Sequence, residues 1–461
     1  SSFFKLGFDM LKSVLPLSFI VATRFFGLFI VLPVLSLYSA ELKGANDFYI
    51  GLLVGLYALA QVLFQVPFGI LSDKIGRKKA LLLGLVIFII GSIICANASD
   101  IYTMMLGRTL QGAGAIGAVA TAMISDFVVE EQRTKAMAIM GMFIGLAFAS
   151  SMIIAPIMSA KFGLTSLFNL STALTILCII LLFTAVPKEV KLKHENAKTG
   201  LKNFFIEKNF AIMNLTNFMQ KMLMSIAFFS IPIVLVDTLS YPKDELYKIY
   251  ALAMIFGFLA MGMAGALGEK RALAKQILLF GVFLFIIYCL LSFVSIYAYD
   301  YFLYKYAYTL IKYDFAFDLF LAAVFVFFIA FNLHEPIMQS CASKFAKVNE
   351  KGVALGVFNA FGYLGSFLGG ILIGLAFHYK LSIQAFLALG ILSALWLIIL
   401  VFLKNPKDFK NIYLNLDKRL NLKEIKALKG VIDVYENSKN LVIKFDSKIT
   451  NQDEILNKIK G

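Results

Sequence analysis

Apolar runs of twenty or more residues recur from the N-terminus to about Leu403, and no other feature constrains the fold so tightly. Each can cross roughly 30 Å of hydrocarbon as a helix. Lipid offers backbone amides no partners, so such runs cross as helices and not as open strands. They lie near residues 14–38, 47–72, 79–97, 101–127, 135–160, 166–187, 210–238, 247–268, 274–297, 318–341, 352–378 and 382–403. Only 15% of residues are charged and 60% are hydrophobic, whereas soluble domains carry about a quarter charged residues. The expected fold is an all-α membrane protein of twelve transmembrane helices.

The net charge of +15 raises nucleic acid as a partner, but its placement argues against one. Loops after the even-numbered spans hold roughly eighteen Lys and Arg and the opposite loops roughly seven, a bias that marks the cytoplasmic side. Both termini are therefore expected in the cytoplasm, which requires an even number of spans. The first run is too long for the apolar core of a cleavable signal. Cys95, Cys178, Cys289 and Cys341 all lie within apolar runs and form no C-x-x-C pair, so they read as small buried hydrophobes. No cofactor, metal site or enzymatic activity is expected.

The longest cytoplasmic connection, residues 188–209, separates a six-span half (1–187) from a second (210–404), the layout of a transporter built from repeats. Gly268-Glu269-Lys270-Arg271 after span eight echoes Gly69 to Arg77 after span two. Between spans nine and ten, the stretch from Tyr297 to Asp318 carries Tyr299, Tyr301, Tyr304, Tyr306, Tyr308 and Tyr313 and reads as an interfacial loop. Residues 411–461 read as a small soluble α+β domain, with strands at 412–416, 431–436 and 441–446 and helices at 422–428 and 453–460. The order β-α-β-β-α is ferredoxin-like without its last strand.

Several charged residues sit inside the apolar runs, where burial is costly by ~2.5 kcal/mol or more and function is the usual reason. Arg24 lies roughly 15 Å into span one at 1.5 Å per residue. Arg108 lies in span four, within Gly107-Arg108-Thr109-Leu110-Gln111-Gly112. Span ten carries Asn332-Leu333-His334-Glu335-Pro336. Glu335 is the candidate protonatable carboxylate. His334 points about 100° away around the helix and reads as a structural hydrogen-bonder or a second proton-coupling group. Asp237, late in span seven, is a further candidate. Gly145 and Pro156 give span five a place to bend, and Gln111, Met140, Phe331 and Asn332 are candidate cavity residues.

Between spans two and three stands Gly69-Ile70-Leu71-Ser72-Asp73-Lys74-Ile75-Gly76-Arg77-Lys78-Lys79. This resembles the signature loop of the major facilitator superfamily, and Gly107 to Gly114 resembles a second motif whose arginine is associated with proton coupling. Together with the C-terminal domain, the pattern resembles the YajR-type branch of the drug/proton antiporter family. That resemblance implies two six-helix bundles and a switch at Gly69, Asp73, Gly76, Arg77, Lys78 and Asp126. Arg77 would pair with Asp126, and Asp73 would meet the start of span eleven near Gly352 to Gly356. It also implies proton coupling through Arg24, Arg108, Glu335 and His334. Span five departs from the exporter pattern, because Ala155, Ser159 and Ala160 stand where glycines are usual.

The expected function is proton-coupled export of small amphipathic molecules by a monomer in the bacterial inner membrane. Two alternatives remain open at this level: a symporter importing a polar nutrient, and a membrane sensor that signals through its soluble domain.

Overall fold

A computed structural model describes residues 2–128, 130–189, 202–270, 272–306, 310–346, 351–415, 420–436 and 440–460. Eleven of its helices are long and apolar enough to span a bilayer. The first half contains α1 (Ser2–Phe29), the short α2 (Leu35–Ser39), α3 (Asp47–Ile75), α4 (Arg77–Ala96), α5 (Ile101–Ala113), α6 (Gly117–Phe127), α7 (Glu130–Phe162) and α8 (Leu164–Thr184). After the single turn α9 (Asn203–Ile206), the second half contains α10 (Lys208–Ile233), α11 (Leu246–Lys270), α12 (Ala274–Tyr306), α13 (Leu310–Lys344), α14 (Lys351–His378) and α15 (Ser382–Val401).

The remaining span is the fourth, which α5 and α6 cross in two pieces. Between them the Ala115 and Ile116 amides reach back only two residues, to Ala113 O and Gly114 O. Packing explains the break. A side chain at Gly112 would overlap the Tyr57 carbonyl, and one at Gly114 the Gly84 carbonyl. The chain runs so close to α3 and α4 here that only glycine fits. Span one is likewise shorter than its apolar run, because α1 ends at Phe29 and a turn through Pro33 precedes α2.

The tyrosine-rich stretch departs from the loop expected there. α12 runs on to Tyr306 and α13 starts at Leu310. Nothing between Tyr297 and Asp318 is Gly or Pro, so nothing in the sequence stops either helix. The side chains of residues 302–314 lie outside those described, as do those of Glu269 to Arg271 in the echo motif.

The two halves meet chiefly through α3 and α14. A side chain at Gly51 would overlap the Gly370 carbonyl, and one at Gly374 would come 2.7 Å from Asp47 O. Polar contacts seal the same end. Ser36 Oγ donates to Phe229 O at 2.9 Å, Tyr250 Oη to Pro33 O at 2.9 Å, and Lys243 pairs with Glu41 at 3.4 Å. At the opposite end, Gly69, Gly141, Gly352 and Gly356 have open space where a side chain would project. The bundles are joined at one end and apart at the end that carries the Gly69–Lys79 loop.

The chain closes with β1 (Phe409–Asn415), α16 (Leu422–Lys426), β2 (Val431–Glu436), β3 (Asn440–Asp446) and α17 (Gln452–Lys460). The sheet order is β1-β3-β2, with both pairings antiparallel. Ile412, Ile443 and Phe445 bury one face against Ile425 and Ile455. The other face docks on the bundles: Lys444 Nζ donates to Lys344 O and, at 2.9 Å, to Ala346 O, while Phe409 packs edge-on against Phe345.

Candidate functional site

Arg77, the first residue of α4, organises the loop end. Gly76 joins α3 to α4 with φ +99°, a conformation that favours glycine. The turn aims the Arg77 side chain back across the first bundle. Its Nε lies 3.1 Å from Asp126 Oδ2 at the end of α6, and its Nη1 lies 2.8 Å from Asp73 Oδ1. Nη1 also donates to Ser72 Oγ. Asp73 does not meet the start of α14, as the motif led us to expect. It stays on its own bundle, with its side chain 51% exposed, because the two bundles are apart at this end. Lys78 turns inward and donates to Val186 O at 2.8 Å.

Glu189 is a member of this cluster that the sequence reading passed over. Its Oε2 accepts from the Arg77 backbone amide at 2.5 Å, where a helix N-terminus favours a carboxylate. Standing at the head of the connection between the halves, it carried no motif to mark it.

Deeper in the first bundle, Arg108 is fully buried. Its Nη1 donates to Gln111 Oε1 at 2.9 Å, and its guanidinium lies 4.9 Å from the Tyr57 ring. Gln111 in turn donates to Ser92 Oγ at 3.0 Å. Arg24 is 2% exposed. Its Nη2 donates to Gln111 O at 3.2 Å, its guanidinium lies 5.6 Å from the Phe88 ring, and its Nε has no partner. One residue, Gln111, thus ties both arginines together, with its side chain on Arg108 and its carbonyl on Arg24.

In the second bundle Glu335 is paired with a lysine and not with either arginine. Lys221 Nζ on α10 lies 2.5 Å from Glu335 Oε1, and Gln220 Nε2 donates to the same oxygen at 3.0 Å. Lys221 sits 5.1 Å from the Phe331 ring. Both charged side chains are partly open, at 25% and 34% exposure, so the pair faces space between the bundles. Lys221 was legible, since it stands in an apolar run as Arg24 does. Phe331 also meets Phe148 of α7 with ring centroids 5.6 Å apart, an aromatic contact across the two bundles.

The other candidates lie apart from this pair. His334 is buried, with Nε2 2.9 Å from Leu278 O and its ring against Phe285 and Trp396. That places it between α12, α13 and α15, turned away from Glu335. Asn332 is also buried; it donates to Phe328 O at 2.7 Å and packs against Gly257 of α11. Met140 is half-buried in the core of the first bundle. A side chain at Gly145 would come 3.5 Å from the Met261 sulfur of α11, and Pro156 lies within α7 without ending it. Asp237 is exposed at the joined end.

The chain as a whole is matched by known proteins. Residues 17–370 match the Major Facilitator Superfamily. The chain is 33% identical over 453 residues to the inner membrane transport protein YajR of Escherichia coli K12, covering 95% of this chain and 94% of that one. It is 26% identical to the quinolone resistance protein NorA of Staphylococcus aureus strain COL, covering 85% and 97%. The crystal structure of a D-xylose-proton symporter superposes with TM-score 0.69 at 14% identity, covering 87% and 99%; at that identity the likeness is one of fold. The likeness to YajR covers 95% of the chain, and this chain belongs to the major facilitator superfamily.

Proposed function

We propose that this protein is a proton-coupled exporter of small amphipathic molecules that works by alternating access. One observation carries the reading: Glu335, held by Lys221 and Gln220, is a carboxylate well inside the spans and open to the space between the bundles. A carboxylate so placed can take up a proton on one side and give it up on the other. The aromatic contact between Phe148 and Phe331 offers an apolar wall beside it. Export is favoured by the likeness to NorA, named for quinolone resistance.

The basic loops favour a cytoplasmic side for the Gly69–Lys79 end, together with both termini. The gap between the bundles at that end then opens inward, as an exporter needs in order to load. In the opposite state Asp73 would reach the N-terminus of α14, where the helix dipole favours a carboxylate, and the loop end would close. The likeness to YajR, an inner membrane transport protein, supports a bacterial inner membrane for this protein too. One chain supplies both bundles, so a monomer suffices, and transport requires no catalysis. The test is solute flux in proteoliposomes under an imposed pH gradient. Outward-directed flux that collapses with a protonophore supports export; inward flux driven by acid outside would favour the symporter.

A further inference from the structure

We propose that an anionic phospholipid binds at the seam between the second bundle and the C-terminal domain, its phosphate held by Lys208, Lys275 and Lys448. The inference is independent of the exporter reading.

Three lysines far apart in sequence converge on the short stretch that leads from α15 into β1. Lys275, in the first turn of α12, donates to Val401 O at 2.8 Å. Lys208, the first residue of α10, carries its ammonium 5.5 Å from the centre of the Phe402 ring. Lys448, in the C-terminal domain, pairs with Asp408 at 3.1 Å. Lys208 and Lys448 come close enough to repel the Lys275 ammonium, and Asp408 close enough to attract it.

The charges of this cluster do not balance. Asp408 already serves Lys448, and its side chain is only 9% exposed. Among the described residues no carboxylate pairs with Lys208 or Lys275, whose contacts are a ring and a neutral carbonyl. Ammonium groups gathered in this way gain from a shared anion, and a phosphate offers several oxygens for charge-assisted hydrogen bonds.

The surroundings set that anion at a bilayer boundary. Ile391, Leu395, Ile398 and Phe402 follow a spacing of four, three and four, so they share one face of α15 and its C-cap. Each is at least 51% exposed. The stripe runs roughly 16 Å at 1.5 Å per residue, about the depth of one leaflet. A stripe of this kind meets acyl chains on any outer helix; this one ends at the ring that carries the Lys208 ammonium. A free phosphate would use the cations alone, whereas a phospholipid uses cations and stripe together. Basic pockets between spans recognise anionic headgroups by the same combination. Because Lys448 belongs to the C-terminal domain, the site is complete only while that domain is docked.

Native mass spectrometry of the full chain in detergent tests the site, with phosphatidylglycerol, phosphatidylcholine and inorganic phosphate as probes. We expect phosphatidylglycerol to be retained more tightly than phosphatidylcholine. Its apparent affinity should fall about thirtyfold in the Lys208→Gln/Lys275→Gln double variant, the scale of two lysines near an anionic surface. Lys448→Gln, at a side chain 72% exposed, should cost about fivefold and serves if the double variant does not fold. Lys79→Gln, at the same end of the first bundle, should leave the affinity unchanged. Equal affinity for the two lipids overturns the inference, as does a loss in the site variants no greater than in Lys79→Gln. Displacement of phosphatidylglycerol by inorganic phosphate would assign the cluster to a free anion and overturn the lipid as its ligand.

Discussion

The Glu189 carboxylate accepts a 2.5 Å hydrogen bond from the backbone amide of Arg77, whose side chain reaches Asp126 3.1 Å away. Residues that follow span six, begin span three and end span four are thereby tied at one point. The signature loop is braced within its own bundle even while it is disengaged from the other.

Removing the two contacts should have unequal effects. Arg77→Ala leaves Asp126, whose side chain is only 6% exposed, without its guanidinium, and should cost about 3 kcal/mol. Glu189→Gln keeps an acceptor but loses the charge at the helix N-terminus, and should cost about 1 kcal/mol. Thermal unfolding in detergent checks the order; a larger loss for Glu189→Gln would contradict it.

At the joined end, α3 and α14 touch backbone to backbone. Gly51→Leu has no room against the Gly370 carbonyl, so the closed contact must open. Spin labels at Asn46 and Tyr379 should report longer distances in the variant than in the parent chain. Unchanged distances would show that the contact can relax around a side chain.

The C-terminal domain is held to span ten by the Lys444 ammonium, which caps carbonyls at the end of α13, where the dipole favours a cation. Lys404 adds a 2.9 Å pair to Asp446. Lys444→Met removes a buried charge-assisted contact worth about 2 kcal/mol. The domain should then swing away from the bundle, and protease should cut between α15 and β1 faster. Equal cutting rates would mean that the Phe345–Phe409 contact and the Lys404–Asp446 pair hold it without Lys444.

The parts that followed a period or a fixed motif were legible in the sequence. β2 falls where alternation placed it, at 431–436, and β1 begins only three residues early, at Phe409. The motif brought Arg77 to Asp126. The rest depended on neighbours far along the chain. The break in span four arises because Tyr57 and Gly84 come close to its glycines, and no local signal announces that. The expected Asp73 contact with α14 would need the bundles to meet at the loop end, where they stand apart here. His334 and Glu335 are adjacent in sequence, yet helix geometry sends one into the bundle and the other to the cavity. The depth argument applied to Arg24 holds equally for Lys221, whose role emerged only when α10 and α13 were seen side by side.

The central claim is that Glu335 carries the proton. Glu335→Gln in proteoliposomes, assayed for both pH-driven flux and solute exchange at equal pH, tests it most directly. The account predicts that pH-driven flux is lost, by about a hundredfold or more as for a general acid–base group, while exchange continues. Undiminished pH-driven flux in the variant would contradict it.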